Sequence, residues 1–153
     1  LNLERLALVN HGPVEELYKN VLTLAQKTKI NNDQFLIDLS WVKQNFAKIH
    51  SGIEALKLIC WKQTWIMESG QLNMAEASVA KVYGSEFFIE AYRLLMEIMG
   101  ELSLLKNDSE LNVLNARLER MYRTASILTF GGGTNEVQRD IIAMAGLFMP
   151  RTR

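Results

Sequence analysis

The stretch "NMAEASVAKVYGSEFFIEAYRLLMEIMG", residues 73–100, decides the fold class because its apolar residues recur every three or four positions. This spacing places them on one face of a long α-helix that packs against a core. Asn73, followed three positions later by Glu76, is a helix-start pattern, and Gly100 predicts the end. The residues of the apolar face are Ala77, Ala80, Gly84, Phe87, Ala91, Leu94 and Ile98.

Two more long helices are predicted on the N-terminal side of this stretch. One begins near Asn32, ends near Ser69 and Gly70, and has a core face with the same spacing. That face consists of Leu39, Val42, Phe46, Ile49, Ile53, Leu56 and Cys60. The other runs from the start of the chain to about Lys27, and Pro13 inside it predicts a kink or a break. Its apolar residues are Leu6, Val9, Leu17, Val21 and Leu24.

On the C-terminal side, the polar stretch "KNDSELN" precedes two shorter helices. An amphipathic segment around residues 111–127 predicts the first, and a second is expected from about 135 to 145, closed by Gly146 and Pro150. Alternation typical of strands is almost absent. We therefore predict an all-α domain over residues 1–153, an antiparallel up-down bundle of three long and two shorter helices.

Composition restricts the function classes. The 153 residues fit one domain, and 17 basic residues balance 17 acidic ones, which argues against a nucleic-acid partner. The single cysteine, Cys60, lies in an apolar run and is expected in the core of a reduced, cytoplasmic protein. No signal peptide or membrane span is predicted. Because the first residue is Leu1, we expect a piece of a longer protein.

A glycine-rich stretch, "TFGGGTNEVQRDIIA" at residues 129–143, precedes the last predicted helix. It lacks the spacing of a phosphate-binding P-loop. One interpretation is a flexible joint between two helices. The other is a ligand cradle, because Thr134 or Asn135 can cap the helix and glycines allow a ligand to approach the backbone. His11 and His50 have no partners that define a metal site, so no metal is predicted.

The residues around this stretch resemble a family signature. Arg123-x-Ala125-x-Ile127, the glycine turn, "GTNEVQRDIIA" and a terminal "PR" are similar to the C-terminal signature of acyl-CoA dehydrogenases. The resemblance implies an FAD-dependent oxidoreductase of lipid metabolism that converts an acyl-CoA thioester to the trans-2-enoyl-CoA. It also implies that the family's N-terminal helical and middle β domains are absent from this chain.

The resemblance implies a carboxylate base for the α-proton. Many members carry a glutamate just before the Gly-Thr of the signature, where this chain has Gly132. The start "LNLERLAL" resembles "LDLERLVL" of the isovaleryl-CoA and long-chain branch, which places its glutamate there. Glu4 then becomes the base, and Gly132 leaves it room and donates its N–H to the thioester carbonyl. On its spacing alone, Glu4 is better interpreted as a solvated charge on the first turn of a helix, and the departure at Gly132 is what favours the base.

Further roles follow from the resemblance position by position. Asn2 matches a contact to the pantetheine arm, and Arg5 matches the arginine that supports the site. The positions that match the lining of the FAD nucleotide are Gly133, Thr134 and Glu136. Arg123 is expected to be structural. Because the family's flavin lies between domains and subunits, we expect the isolated chain to retain no FAD and to be inactive.

Two family segments have no full match. "RxxFG" is missing from "AQKTKINNDQF", and "QxxGGxG" is reduced to "EIMGEL" with Glu97 and Gly100. This pattern resembles divergent actinobacterial-type members, some of which are heteromers. The alternatives are therefore a non-catalytic partner subunit and an oligomerisation bundle. We expect a homo- or hetero-oligomer and an electron-transfer flavoprotein or similar acceptor.

Overall fold

A computed structural model describes residues 9–70, 73–105, 114 and 116–150. Its helices follow the predicted order, and within these residues the all-α bundle of three long and two shorter helices is confirmed. The long helices are α1 (Gly12–Lys27), α2 (Ser40–Glu68) and α3 (Met74–Met99). The shorter ones are α4 (Arg117–Ala125) and α5 (Asn135–Ile141), and a π-helical turn, Ile142–Gly146, continues α5.

Helix α3 is the centre of the bundle and contacts α1, α2, α4 and α5. Apolar side chains from all three long helices meet there, and burying each large aliphatic side chain contributes about 1.5–3 kcal/mol. Fully buried members of this core include Leu17, Val21, Ile49, Ile53, Leu56 and Leu95. The regular spacing of apolar residues in the sequence therefore identified most of this core, but it missed Leu95, and Leu39 and Phe87 are only partly buried.

The boundaries of α3 are those that its sequence predicts. The Asn73 side chain accepts a hydrogen bond from the backbone N–H of Glu76 at 2.9 Å, which satisfies one of the unpaired donors at the helix start. At the other end, Gly100 has a φ of 57°. A left-handed glycine after the last turn ends a helix at little steric cost.

The predicted start of α2 near Asn32 is wrong by several residues, because a small hairpin precedes the helix. Strands β1 (Lys29–Asn31) and β2 (Gln34–Phe35) pair in antiparallel fashion, and a 3₁₀ turn, Leu36–Asp38, follows. The Asn31 Oδ1 accepts from the Asp33 N–H at 3.1 Å, and the Asp38 Oδ2 accepts from the Phe35 N–H at 3.0 Å. These local side-chain bonds compete with a helix and favour a turn.

The proline in the first long segment marks a break. Helix α1 begins at Gly12, so Pro13 occupies its first turn, where a missing N–H has no cost. The Asn10 Oδ1 accepts from the Gly12 N–H at 2.9 Å just before the helix. Leu6, predicted on the same apolar face, lies outside the described residues.

Cys60 lies on α2, partly buried and packed against the core. Burial raises the pKa of its thiol. Within the described ranges, no helix combines the length and the apolar character needed to cross a membrane.

Candidate functional site

The predicted site residues fall into two groups. Four lie between α4 and α5 or on the first turn of α5, namely Gly132, Gly133, Thr134 and Glu136. The other three lie outside the described residues, namely Asn2, Glu4 and Arg5. The predicted proximity of Glu4 to Gly132 therefore stays a prediction, and the described part of the site is its C-terminal half.

Residues 130–134, called the glycine loop below, form a hydrogen-bonded turn. The N–H of Gly131 donates to the Ile127 carbonyl at 2.9 Å, and the N–H of Gly133 donates to the Phe130 carbonyl at 3.1 Å. Gly132 and Gly133 have φ values of 71° and 102°. Residues with side chains adopt such angles less readily, so this backbone path favours glycine at both positions.

A buried lysine on α3 binds the glycine loop. Lys81 is 1% exposed, and its Nζ donates to the carbonyl oxygens of Thr129 at 3.0 Å and Gly133 at 2.7 Å. It also donates to the Oδ1 of Asn135 at 2.6 Å. One side chain thus contacts the chain before, within and after the loop.

A second buried pair holds the loop next to Lys81. The Gln138 side chain is fully buried; its Nε2 donates to the Gly132 carbonyl at 3.1 Å, and its Oε1 accepts from the Ser78 Oγ at 2.7 Å. A Cβ added to Gly133 would lie 2.6 Å from this Nε2. The close packing of Gln138 is therefore a second reason why position 133 is glycine.

Helix α5 is fastened to α3 beside these contacts. The Asn135 Nδ2 donates to Glu86 Oε1 at 3.1 Å, and Arg139 donates to both oxygens of Glu86 at 2.7 and 2.8 Å. The Ser85 Oγ lies within 3.2 Å of Asn135. These bonds fix the direction in which α5 leaves the glycine loop.

The first turn of α5 presents a cap and a carboxylate to solvent. The Thr134 Oγ1 accepts from the Val137 N–H at 3.3 Å, which makes Thr134 the cap. The backbone N–H of Glu136 and the Thr134 side chain hold the pKa of the Glu136 carboxyl below its usual range, and Arg139 and Lys81 act in the same direction. Glu136 is therefore ionised at neutral pH and accepts hydrogen bonds.

An apolar cavity of about 310 Å³ lies beside the residues that lead into the loop. It is bounded by the start of α1, by α3 and by the turn before the loop, with Pro13, Tyr92, Met121 and Leu128 among its lining residues. Burial raises the pKa of Tyr92 to about 12, so its hydroxyl stays neutral. The cavity can hold an apolar group but offers little to a charged one.

Three residues that hold the loop were not predicted from the sequence, namely Lys81, Gln138 and Ser78. Their positions carried a usable signal: Lys81 lies four residues after Ala77 and three before Gly84, on the buried face of α3. A lysine at such a position needs acceptors inside the protein.

Within the described ranges, no group of three or more His, Cys, Asp or Glu side chains is placed to hold a metal ion.

Comparisons with known proteins identify the domain. A family model described as "Acyl-CoA dehydrogenase, C-terminal domain" matches residues 1–147. The chain is 48% identical over 155 aligned residues to acyl-CoA dehydrogenase FadE26 of Mycobacterium tuberculosis, covering 99% of this chain and 38% of that protein. It is 32% identical to FadE29 of the same organism, with 99% of this chain and 38% of that protein covered.

Solved structures agree. The chain is similar to the ChsE4-ChsE5 complex from Mycobacterium tuberculosis, with a TM-score of 0.87 and 46% identity over 94% of this chain and 37% of that one. It is also similar to the Tcur3481-Tcur3483 steroid ACAD, with a TM-score of 0.88 and 35% identity over 99% of this chain and 38% of that one. The chain thus spans about 38% of the length of these relatives. It belongs to the acyl-CoA dehydrogenase family, whose C-terminal helical domain it contains.

Proposed function

We propose that residues 1–153 are the C-terminal helical domain of an FAD-dependent acyl-CoA dehydrogenase that forms the trans-2-enoyl-CoA from an acyl-CoA thioester. The supporting observation is the glycine loop. The loop carries no acidic side chain, follows a path that favours glycine at 132 and 133, and is held from below by buried polar side chains. A loop fixed in this way can present main-chain groups to a ligand without reorganising.

In the proposed reaction, Glu4 removes the α-proton. The α C–H bond breaks, its electron pair forms the new C=C bond, and the proton moves to the Glu4 carboxylate. FAD, when bound, accepts the β-hydrogen as hydride. Gly132 donates its N–H to the thioester carbonyl, which stabilises the negative charge that develops on that oxygen and makes the α-carbon more acidic.

Gly133, Thr134 and Glu136 are proposed to line the nucleotide part of FAD. The carboxylate of Glu136 suits contact with only one part of this nucleotide. A carboxylate that is ionised at neutral pH accepts hydrogen bonds from sugar hydroxyls and repels phosphate. We therefore place Glu136 beside hydroxyl groups of the cofactor and not beside its pyrophosphate.

We propose a bulky apolar acyl chain, of the steroid class, as the substrate. The cavity beside the loop is lined mostly by apolar side chains, which suits a hydrocarbon group. One similar structure is named a steroid ACAD. The test is a comparison of flavin bleaching by steroid and short linear acyl-CoA thioesters, and equal or better bleaching by the short thioester would contradict this assignment.

The second candidate function is a non-catalytic partner subunit, or an oligomerisation bundle, of a heteromeric acyl-CoA dehydrogenase. Two similar structures are each named for a pair of subunits. Helix α2 also exposes an apolar stripe of Leu58, Trp61 and Trp65, each more than 60% exposed, which suits contact with another subunit. Under either candidate function we propose that the protein is a homo- or hetero-oligomer. The electrons that the flavin gains from the substrate pass to an electron-transfer flavoprotein or similar acceptor.

The deciding experiment uses the full-length protein with its natural partner. Glu4→Gln keeps size and hydrogen bonding but cannot take the proton. Acyl-CoA should still bind while flavin reduction falls by about 10²–10⁴-fold. Glu54→Gln, at an exposed carboxylate paired with Lys57, is the matched control and should leave reduction unchanged.

The converse double variant strengthens the test. Glu4→Gly with Gly132→Glu moves the carboxylate to the family's other location and should restore part of the rate, with a different preference among acyl chains. Flavin reduction at the wild-type rate in Glu4→Gln would reject Glu4 as the base and favour the partner-subunit function. The isolated chain should carry no FAD and show no turnover; a yellow protein near one FAD per chain would contradict this placement of the cofactor.

A further inference from the structure

Lys81 contacts three acceptors among the described residues. Three oxygens lie 2.6–3.0 Å from its Nζ, contributed by Thr129, Gly133 and Asn135. A protonated lysine has three N–H donors, one for each of these acceptors. Because all three acceptors are oxygens without hydrogens to donate, the geometry requires the ammonium form.

Packing alone does not explain a lysine at this position. Burying an ammonium group costs free energy that its hydrogen bonds only partly recover, and an apolar residue that fills the same space is often at least as stable. The neighbouring buried residues of α3 are all small and uncharged, namely Ala77, Ser78, Ala80, Gly84 and Ser85. The distinctive contribution of Lys81 is therefore the set of groups that it binds, and the three described acceptors belong to the glycine loop or to its two flanks.

The glycine loop needs such an external anchor. Three consecutive glycines have no side chains with which to fix their own conformation, and glycine loses more conformational freedom on ordering than any other residue. Lys81 bridges Thr129, at the entrance, to Gly133 and Asn135, at the exit. A single cation thereby limits how far the two ends of the loop can separate.

We propose that Lys81 is a positioning residue: its ammonium holds the glycine loop in the conformation that presents the loop backbone to the acyl-CoA thioester and to the flavin nucleotide. The inference rests on the proposed function for its consequence, since a loop that binds nothing would need no such precision. It names a residue on another helix, more than 45 residues away in sequence, as a determinant of ligand affinity at the loop.

The first measurement is hydrogen–deuterium exchange of the full-length protein, which does not depend on activity. In the wild type, the amides of residues 130–138 should exchange more slowly than those of an unstructured glycine peptide by at least about a hundredfold. Lys81→Met, which keeps length but removes every donor, should raise exchange there by about ten- to a hundredfold, the range expected for losing hydrogen bonds to a charged group. Peptides from the far end of α3 should not change.

Two control variants separate positioning from general stability. Lys62→Met makes the same substitution at an exposed lysine that pairs with Glu76 at the start of α3. Ile98→Ala destabilises the same helix from its buried far end, about 25 Å from Lys81 along the helix axis. Neither control should raise exchange in the loop selectively. If Lys81→Met does not fold, Lys81→Gln, which keeps an amide donor, takes its place and should give a smaller effect of the same kind.

The second measurement is ligand affinity. Lys81→Met should weaken retention of FAD or binding of acyl-CoA by at least about tenfold, while Ile98→Ala at equal loss of thermal stability changes both by less than twofold. Selective loop exchange together with weakened binding supports the proposal. Wild-type loop exchange as fast as that of a free peptide, or unchanged loop exchange in a folded Lys81 variant, overturns it.

The outcomes also distinguish this inference from the proposed function. If loop exchange rises in Lys81→Met but both affinities stay within twofold of the wild type, Lys81 is only a structural anchor and its positioning role is rejected. If wild-type full-length protein shows no flavin reduction by any acyl-CoA, the proposed function fails. The exchange and binding measurements still decide the role of Lys81 in that case.

Discussion

Replacing Gly133 by alanine should destabilise the protein in two separable ways. The φ of 102° at this position is unfavourable for an L side chain, at about 1–2 kcal/mol. The new Cβ would also lie 2.6 Å from the Gln138 Nε2. Because Gln138 is buried and bonded to both Ser78 and Gly132, moving it sacrifices two hydrogen bonds of about 0.5–1.5 kcal/mol each. The expected total is about 2–5 kcal/mol.

Gly70→Ala is the matched control for Gly133→Ala. Gly70 also has a positive φ, 69°, but nothing lies within 4 Å of an added Cβ, so the control reports backbone strain alone. Urea unfolding of each variant should show Gly133→Ala to be worse by about 1–3 kcal/mol, the share that belongs to Gln138.

A double-mutant cycle tests the cause of this difference. In a Gln138→Ala background the clash partner is absent, so the cost of Gly133→Ala should fall by about 1–3 kcal/mol, and positions 133 and 138 should show a clear interaction energy. Equal losses for Gly133→Ala and Gly70→Ala in the wild-type background would refute the reasoning. So would a cost of Gly133→Ala that persists unchanged without the Gln138 side chain.

Two further predictions concern titratable groups. The hydrogen bond from Lys19, together with Lys57, lowers the pKa of Glu15 from 4.5 to about 2, although burial opposes the shift. The stabilising contribution of Glu15 is therefore present above about pH 4.5 and lost as the pH falls towards 2. Glu15→Gln should flatten the pH dependence of the urea midpoint in that window. An unchanged pH profile in the variant would contradict this assignment. Burial raises the pKa of the Cys60 thiol, so iodoacetamide at about pH 8 should alkylate it at least about tenfold more slowly in the folded protein than in urea, and equal rates would disprove its protection.

The parts of the fold that depend on interactions between residues close in sequence could be predicted from the sequence. The long helices depend on apolar spacing and on local signals such as Asn73, which act over a few residues and are legible in one stretch. The Lys29–Phe35 hairpin was missed because the Asn31 side chain in its turn, and the Asp38 side chain in the 3₁₀ turn that follows, look like ordinary helix-start residues. Pro13 in the sequence was compatible with a kink or a break. The break became evident only in the structure, where α1 begins at Gly12 and the Gly12 N–H donates to the Asn10 side chain.

The candidate site was predictable only in its local part. The glycine loop and the Thr134 cap follow from neighbouring residues, and the structure has both. The contacts of Lys81 and Ser78 to the loop region join residues 48–60 positions apart, and no periodicity within one segment encodes such pairs. Asn135, taken as an alternative cap, instead has its side chain buried against α3.

A side-chain-free loop separates the residues that meet a ligand from the residues that set its geometry. Glycine at 132 and 133 removes steric obstacles to a ligand. It also leaves these residues without side chains that could hold their backbone in one conformation. Side chains outside the three glycines therefore have to hold the loop in place. Lys81 and Gln138 do so from beneath it, by donating hydrogen bonds to the carbonyl oxygens of Gly133 and Gly132. Because these contacts are buried, where hydrogen bonds are stronger and unpaired groups costly, the loop has few alternative conformations of similar free energy. Substitution of Lys81, the α3 residue that binds the loop, should consequently alter ligand binding more than substitutions on the exposed first turn of α5, although only the latter would touch the ligand.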